Sequence, residues 1–334
     1  MAKNGTVEYK IMAYVFWFQR KIMLIVAFVI VSIFCLLHVF CSHQKGKWYS
    51  LFQNTRDEIE YLESKLKNLQ QRVELQGRND ILPIIYLITP TYKRYTQQAD
   101  LVRMSNTLKH VANIHWILVE DSESKTLLVT SFLSNVGIKY THLNVRTQRD
   151  LILQGNDPRW KKHRGVDQRN HALSWLRNNV AKDTSGVVYF ADDDNTYHLD
   201  LFKEMRWTRK VSMWPVALVG GLRWEGPICK DGKVVKFFTA WMPSRQFPVD
   251  MAAFAINLKI LFNNPKSLIN PEVKRGWLES DFLQQLKINV GDVEAKANDC
   301  TRILVWHTQT AEPKMKEEFK LLKLGRGSNT NIVI

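Results

Sequence analysis

The sequence predicts an α/β fold, a doubly wound sheet that passes into a less regular, mixed half. Three observations carry that prediction. Apolar runs with strand and helix periodicity alternate from Ile84 to Ala191. The aspartate triplet Asp192, Asp193, Asp194 closes the last of these runs, where a buried strand reaches its carboxyl end. The alternation is preceded by one long apolar segment and one charged segment with a helical repeat, so the globular part starts near residue 83.

Residues 1–21 read as a cytoplasmic tail and 22–41 (IMLIVAFVIVSIFCLLHVFC) as a transmembrane signal anchor. The run is uncharged and about 20 residues long, the length a bilayer crossing needs. It is apolar on every face, where a core helix of a globular domain keeps a polar stripe, and no small-residue cleavage pattern follows it. Lys3, Lys10, Arg20 and Lys21 precede it against Lys45 and Lys47 behind, which tilts the N-terminus toward the cytosol. Residues 42–82 read as a stem. Phe52, Thr55, Ile59, Leu62, Leu66, Leu69 and Val73 recur at spacings of three and four, the seam of a short coiled coil. A single amphipathic helix lying on the globular part fits the same spacing; a dimerising stem is the preferred reading.

Within 83–215, Ile84–Ile88 reads as a strand, and Leu101, Met104, Leu108 and Val111 mark a helix face. Trp116–Val119 is a strand ending in Glu120 and Asp121. A helix over Leu127–Leu133, a strand over Ile138–Val145, a helix face at Leu173, Leu176 and Val180, and the strand Val187–Ala191 follow. No GxGxxG opens the first unit and no GxxxxGK[ST] is present, so neither dinucleotide nor P-loop chemistry is indicated. Residues 216–334 are expected to form a mixed sheet with a second binding region.

The composition narrows the class. With 334 residues and 45% hydrophobic side chains the chain can bury a large core. Its net charge of +15 suits an anionic partner. Neither zinc-finger spacing nor an RNA-recognition signature accompanies that charge, and the clearest basic cluster is only Arg159, Lys161, Lys162 and Arg164, so no nucleic-acid partner is expected. Four cysteines, Cys35, Cys41, Cys229 and Cys300, form no CxxC pattern, which argues against structural zinc. A Cys229–Cys300 bridge is open to the chain in an oxidising compartment.

In open α/β sheets, ligands bind outside the carboxyl ends of the strands. Asp192–Asp194, Asp121 and the turn Thr89-Pro90-Thr91-Tyr92 all fall there. Adjacent like charges are unfavourable without a compensating cation. Oxygen ligands without a neighbouring His or Cys suit Mg²⁺ or Mn²⁺, which bind through one or two carboxylates plus substrate phosphates. A solvated acidic turn is the plain alternative for such a triplet; the strand before it favours the metal.

Seven runs then resemble the β1,3-glucuronosyltransferase family: "ITPTYKR" (88–94), "WILVEDS" (116–122), "RGVDQRNHAL" (164–173), "YFADDDNTY" (189–197), "FFTAWMPSRQFPVDMAAFAI" (237–256), "RGWLESDF" (275–282) and "CTRILVWHT" (300–308). They occur in family order over nearly the whole chain after Ile84. The resemblance implies a GT-A-like nucleotide-sugar-binding fold in a Golgi type II membrane enzyme, with the catalytic domain lumenal. It implies inverting transfer of glucuronic acid from UDP-glucuronate to the 3-OH of a terminal galactose, Mn²⁺ as cofactor, and a homodimer.

By position, Pro90, Thr91, Tyr92 and Asp121 match uridine-binding residues. Tyr92 offers an aromatic face, and Asp121 an acceptor for the base N–H. Arg164 and Arg169 match residues near the uracil and the diphosphate–glucuronate, where guanidinium forks suit phosphate and carboxylate. Asp194 matches the manganese ligand, with Asp192 and Asp193 completing the donor contacts. His307, Thr308 and Gln309 fall at the diphosphate. The family usually has Arg where Gln309 stands, which removes a cation and leaves open a weakened paralogue serving as a glycan-binding scaffold. A same-fold transferase for another UDP-sugar is the second alternative. Glu279 matches the catalytic base, since inversion by single displacement needs one group to take the acceptor proton. Glu225, Trp241, Arg245, Asp250 and Arg275 match the acceptor-binding region. Which galactose-terminated acceptor is used stays open between proteoglycan-linker and N-acetyllactosamine-type glycans.

Overall fold

The computed structural model describes residues 17–33, 53, 55–67, 82–152, 157 and 161–328. Residues 34–41 of the expected span lie outside these, as do Phe52, Leu69 and Val73 of the heptads and Arg159 of the basic cluster. The chain divides into two units, Met1–Asn79 and Asp80–Ile334. In the first, residues 17–33 and 55–67 are helical. Among the described residues no helix is long and apolar enough to cross a membrane.

In the second unit, β1 (Ile84–Thr91), β2 (Ile114–Glu120), β3 (Tyr140–Asn144) and β4 (Gly186–Phe190) run parallel, with β1 between β2 and β4. β2 and β4 are buried along their whole length and β1 nearly so, which explains their continuous apolar runs in place of alternation. Helices α3 (Gln97–Leu108), α4 (Leu127–Ser134) and α5 (Val166–Asn179) make the crossovers; here α1 and α2 denote the helices over 17–33 and 55–67. Leu101, Met104 and Leu108 of α3 and Leu173 and Leu176 of α5 enter the core, the faces their spacing predicts.

The sheet then changes character. After β5 (Thr196–Tyr197), α6 (Leu199–Arg206), β6 (Val211–Met213), β7 (Val216–Ala217), β8 (Trp224–Lys230) and β9 (Lys233–Phe238), strand β10 (Phe254–Asn257) pairs antiparallel with both β4 and β6. β11 (Val293–Ala295) adds parallel to β6, giving the order β11-β6-β10-β4-β1-β2-β3. Because β10 runs backward, its entry lies at the carboxyl end of β4, and residues 245–253 arrive beside the aspartate triplet. The hydroxyl of Tyr189 (3.0 Å) and the indole Nε1–H of Trp214 (2.8 Å) both donate to the Ala252 carbonyl and pin that entry. A second sheet, β5-β12-β7-β8-β9, starts two residues after Asp194. Its strand β12 (Val305–Trp306) returns His307 and Thr308 to the same edge. The mixed second half is thus as expected, and strand reversal is its cause. Cys229 of β8 and Cys300 are joined by a disulfide.

Candidate functional site

At the end of β1, Thr91 donates its hydroxyl to Asp193 Oδ2 (2.7 Å) and accepts from Gln97 Nε2 (3.1 Å). Arg94, in the following turn, pairs with Asp193 (2.7 Å) and with the buried Asp100 of α3 (2.8 Å). Burial pushes the Asp193 carboxyl up to about 6 against the opposing pull of Arg94. Asp193 therefore faces inward and ties β1 to β4, where the sequence had suggested a donor contact. Asp192 is ion-paired to Arg169, whose Nη1 also donates to the Arg164 carbonyl at 2.9 Å. The Tyr197 hydroxyl donates to the Asp192 carbonyl at 2.8 Å.

Asp194 differs from both neighbours. Its backbone carbonyl accepts from Thr308 Oγ1 (2.6 Å) and Arg103 Nη2 (3.3 Å). Among the described residues no hydrogen bond or ion pair reaches its carboxylate. Burial, and then the charge of Asp192, raise its pKa. A half-buried carboxylate beside a second negative charge, with no cation in contact, is a place where a bound cation gains most. Among the described residues no cluster of three or more His, Cys, Asp or Glu could hold a metal ion. The donor set fits a cation held by one carboxylate together with ligand phosphates, and not an all-protein cage.

On the β1–β2 side, Tyr92 is exposed, with the Arg94 guanidinium 4.7 Å from its ring centroid. Both Asp121 carboxylate oxygens are taken by Thr147, from its N–H (2.8 Å) and its hydroxyl (2.6 Å). They keep lone pairs for a further donor. Gly165, the residue before α5, has φ of +69°, and a Cβ there would meet Arg169 Nη1 at 2.6 Å and Pro90 Cβ at 3.2 Å. Only glycine lets α5 start this close to the Pro90 turn and aim Arg169 at Asp192. Gly165→Ala is expected to destabilise the fold by about 1–2 kcal/mol, and to weaken the binding of an anionic ligand at this edge by pushing Arg169 off Asp192. Thermal melts and calorimetry on the variant check both parts. Arg164 itself is exposed.

Glu279 sits in the first turn of α8 (Leu278–Gln285). The buried Ser280 clamps that turn to the entry of β10, accepting from Phe247 N–H and donating to the Phe247 carbonyl, both at 2.9 Å. Burial raises the Glu279 carboxyl to about 7; Asp250 adds to the rise, while Arg245 and Arg169 oppose it. Asp250 caps its own turn through Ala252 N–H (2.9 Å) and lies 3.5 Å from His307 Nδ1. That approach misses hydrogen-bond alignment, and the buried Nδ1 has no hydrogen-bond partner. Glu279, Asp250, His307, Arg169, Asp192 and Asp194 thus share one edge of the sheet.

The remaining acceptor candidates separate into two kinds. Arg245 is buried, with its donors on the carbonyls of Met242 (3.1 Å), Gly276 (2.7 Å) and Trp241 (2.7 Å) and with Glu225 3.6 Å away. It locks the 241–245 turn to the α8 approach and presents no free fork outward. Glu225 is buried too and accepts from Thr239 at 2.6 Å; burial is the main cause of its raised pKa. Trp241, by contrast, is 45% exposed, with the Arg275 guanidinium over its ring at 5.6 Å. Gly276, at φ of +83°, leaves room for that indole: a Cβ would meet Trp241 Nε1 at 2.5 Å. Gln309 is exposed.

Several residues that build the site escape sequence reading. Thr147 is 26 positions from the aspartate it holds, and Asp100 reads as an ordinary helix carboxylate. Arg94 lies two residues past Tyr92, and nothing local sets it apart from an exposed basic side chain.

The chain matches the model of glycosyltransferase family 43 over residues 104–311. It is 49% identical over 286 residues to human galactosylgalactosylxylosylprotein 3-beta-glucuronosyltransferase 3, covering 83% of this chain and 85% of that one. It is 50% identical over 248 residues to the human enzyme numbered 1 of the same name, covering 72% and 73%. The Caenorhabditis elegans relative, galactosylgalactosylxylosylprotein 3-beta-glucuronosyltransferase sqv-8, is 42% identical over 288 residues, covering 84% and 81%.

Proposed function

The chain belongs to glycosyltransferase family 43, and on that premise we propose that it transfers glucuronic acid from UDP-glucuronate to a terminal galactose, with inversion and a β1,3 linkage. The acceptor class is the galactosyl-galactosyl-xylosyl-protein named for its relatives. The observation that carries the reading is Glu279: a carboxyl raised to about 7 on the same edge as the uncommitted Asp194. A base that titrates near the working pH gives the best balance of ionisation and basicity.

The uridine stacks on the exposed Tyr92 and meets Asp121. Arg169, already beside Asp192, is placed to receive the sugar acid or the phosphates. Asp194 would hold Mn²⁺, whose chemistry is neutralisation of the leaving diphosphate. Trp241 offers the acceptor sugar an aromatic face. Glu279 takes the proton from the galactose 3-OH as that oxygen bonds to the anomeric carbon. The carbon–phosphate oxygen bond breaks on the opposite face, and its electron pair leaves with UDP. His307 stands where that charge develops.

On the helix over 17–33, Met23, Leu24, Ile25, Phe28 and Val31 are exposed, which supports the reading of 22–41 as a membrane anchor. The reading is a type II Golgi enzyme. If Ile59, Leu62 and Leu66 line a dimer seam, Leu62→Lys with Leu66→Lys should shift the protein toward monomer in sedimentation while leaving turnover in place. Unchanged dimers would assign the contact to the globular unit.

The whole reading is tested by incubating the full chain with UDP-glucuronate or UDP-glucose and a galactosyl-galactose or N-acetyllactosamine acceptor. Transfer from UDP-glucuronate to galactosyl-galactose is expected to dominate. Transfer from UDP-glucose alone, or none, overturns it.

A further inference from the structure

We propose that Asp100 is a positioning residue that joins the Asp192–Asp194 run to the His307–Thr310 segment, so that the diphosphate end of the donor site is assembled before ligand arrives. The proposal rests on the reading of this edge as a UDP-sugar site. Asp100 lies on α3, outside every motif that points to the donor, and its side chain is only 1% exposed. Three groups converge on its carboxylate. Arg94 Nη2 meets Oδ2 at 2.8 Å, Arg103 Nη2 meets Oδ1 at 3.0 Å, and the Thr310 hydroxyl donates to Oδ1 at 2.6 Å.

Each of these groups reaches the site by a different route. Arg94 carries the tie to Asp193, at 2.7 Å, and so to the turn that presents Asp192 and Asp194. Arg103 touches the Asp194 carbonyl at 3.3 Å and the Thr310 hydroxyl at 3.4 Å. Thr310 lies three residues past His307, and between them Thr308 donates to the same Asp194 carbonyl at 2.6 Å. One buried carboxylate therefore fixes the spacing between the strand-end aspartates and the chain that carries His307. A helix-surface aspartate with no such role would bond within α3 or to water. This one spans 210 residues of sequence to reach Thr310.

Two guanidinium groups sharing one buried carboxylate make charge-assisted bonds of high stiffness. Removing the charge leaves both arginines undercompensated and frees the 308–310 segment. Of the uridine contacts, Asp121 is held by Thr147 and does not pass through Asp100, while Tyr92 touches Arg94, which keeps its pair with Asp193 when Asp100 loses its charge. The loss should fall mainly on phosphate recognition.

Calorimetry of uridine and of UDP, with Mn²⁺ present, measures this on the full chain. Wild type is expected to bind UDP far more tightly than uridine. In Asp100→Asn the uridine affinity should stay within about twofold while UDP weakens by roughly tenfold or more. Thr310→Val, which removes one hydrogen bond and no charge, should give a smaller loss in the same direction. It also decides the matter if Asp100→Asn does not fold. A UDP-to-uridine ratio unchanged in the variant that folds overturns the positioning role, as does an equal loss for both ligands. A wild-type protein that binds the two alike would instead defeat the reading of the site as a UDP-sugar site.

Discussion

Replacing Glu279 with glutamine is expected to lower transfer to a galactose-terminated acceptor by about two to four orders of magnitude. Glutamine keeps the shape and most of the hydrogen bonding but has no basic lone pair, so the acceptor hydroxyl keeps its proton as the new bond forms. UDP affinity should hardly move, because the proposed nucleotide contacts lie at Tyr92, Asp121 and the aspartate run. Turnover and calorimetry on one preparation separate the two effects, and a variant that turns over normally would move the base to Asp250 or Glu225. The wild-type pH profile should carry the same group. With its carboxyl raised to about 7, Glu279 is protonated and inactive at low pH, so kcat/KM should climb through about pH 7 and then level. Stability runs the other way. The folded state holds that proton more tightly than the unfolded chain, whose carboxyl sits near 4.5, so stability falls as pH rises between those values and then stays down. Glu279→Gln should therefore melt higher than wild type above pH 7, with the gap closing as pH falls toward 4.

That the proposed catalytic carboxylate destabilises its own fold explains part of what the sequence hides. The parallel strands were legible because burial on both faces writes itself as unbroken apolar runs such as Ile84–Ile88 and Trp116–Val119. The aspartate triplet was legible as a site because charge at a strand end is chemically costly. What distinguishes Asp193 from Asp194 was not legible. Both are adjacent aspartates, yet the turn that follows β4 sends the first inward to Thr91 and Arg94 and leaves the second carboxylate without a hydrogen bond among the described residues. Arg245 is a related case. A guanidinium in an acceptor-region motif reads as a sugar contact, whereas backbone carbonyls 3, 4 and 31 residues away take its donors. Such long-range closures as Asp100 to Thr310 depend on the reversed strand β10 and the second sheet, and no local pattern encodes them.

Asp194→Ala is expected to remove transfer almost entirely, on the order of 10³-fold or more, since the cation proposed to sit on it would neutralise charge that develops only as UDP departs. The structure gives the reason that this aspartate and not its neighbours should be decisive. Asp192 is already paired with Arg169 and Asp193 with Arg94, so their charges are internally compensated. Asp194 is raised by burial and by Asp192 with no cation in contact, and binding one relieves that strain. Mn²⁺ should support more activity than Ca²⁺, which prefers more ligands at longer distances than one carboxylate and a diphosphate provide. Removing the carboxylate should also raise stability without metal, because a partly desolvated like-charge contact is lost. Wild type treated with EDTA should fall toward the Asp194→Ala rate and recover on adding Mn²⁺, while the variant responds to neither. Full activity in EDTA would leave the diphosphate to Arg169 and His307 alone and take the metal out of the reaction. The melt comparison has its own outcome: an Asp194→Ala protein less stable than metal-free wild type would mean that Asp194 has a protein partner after all.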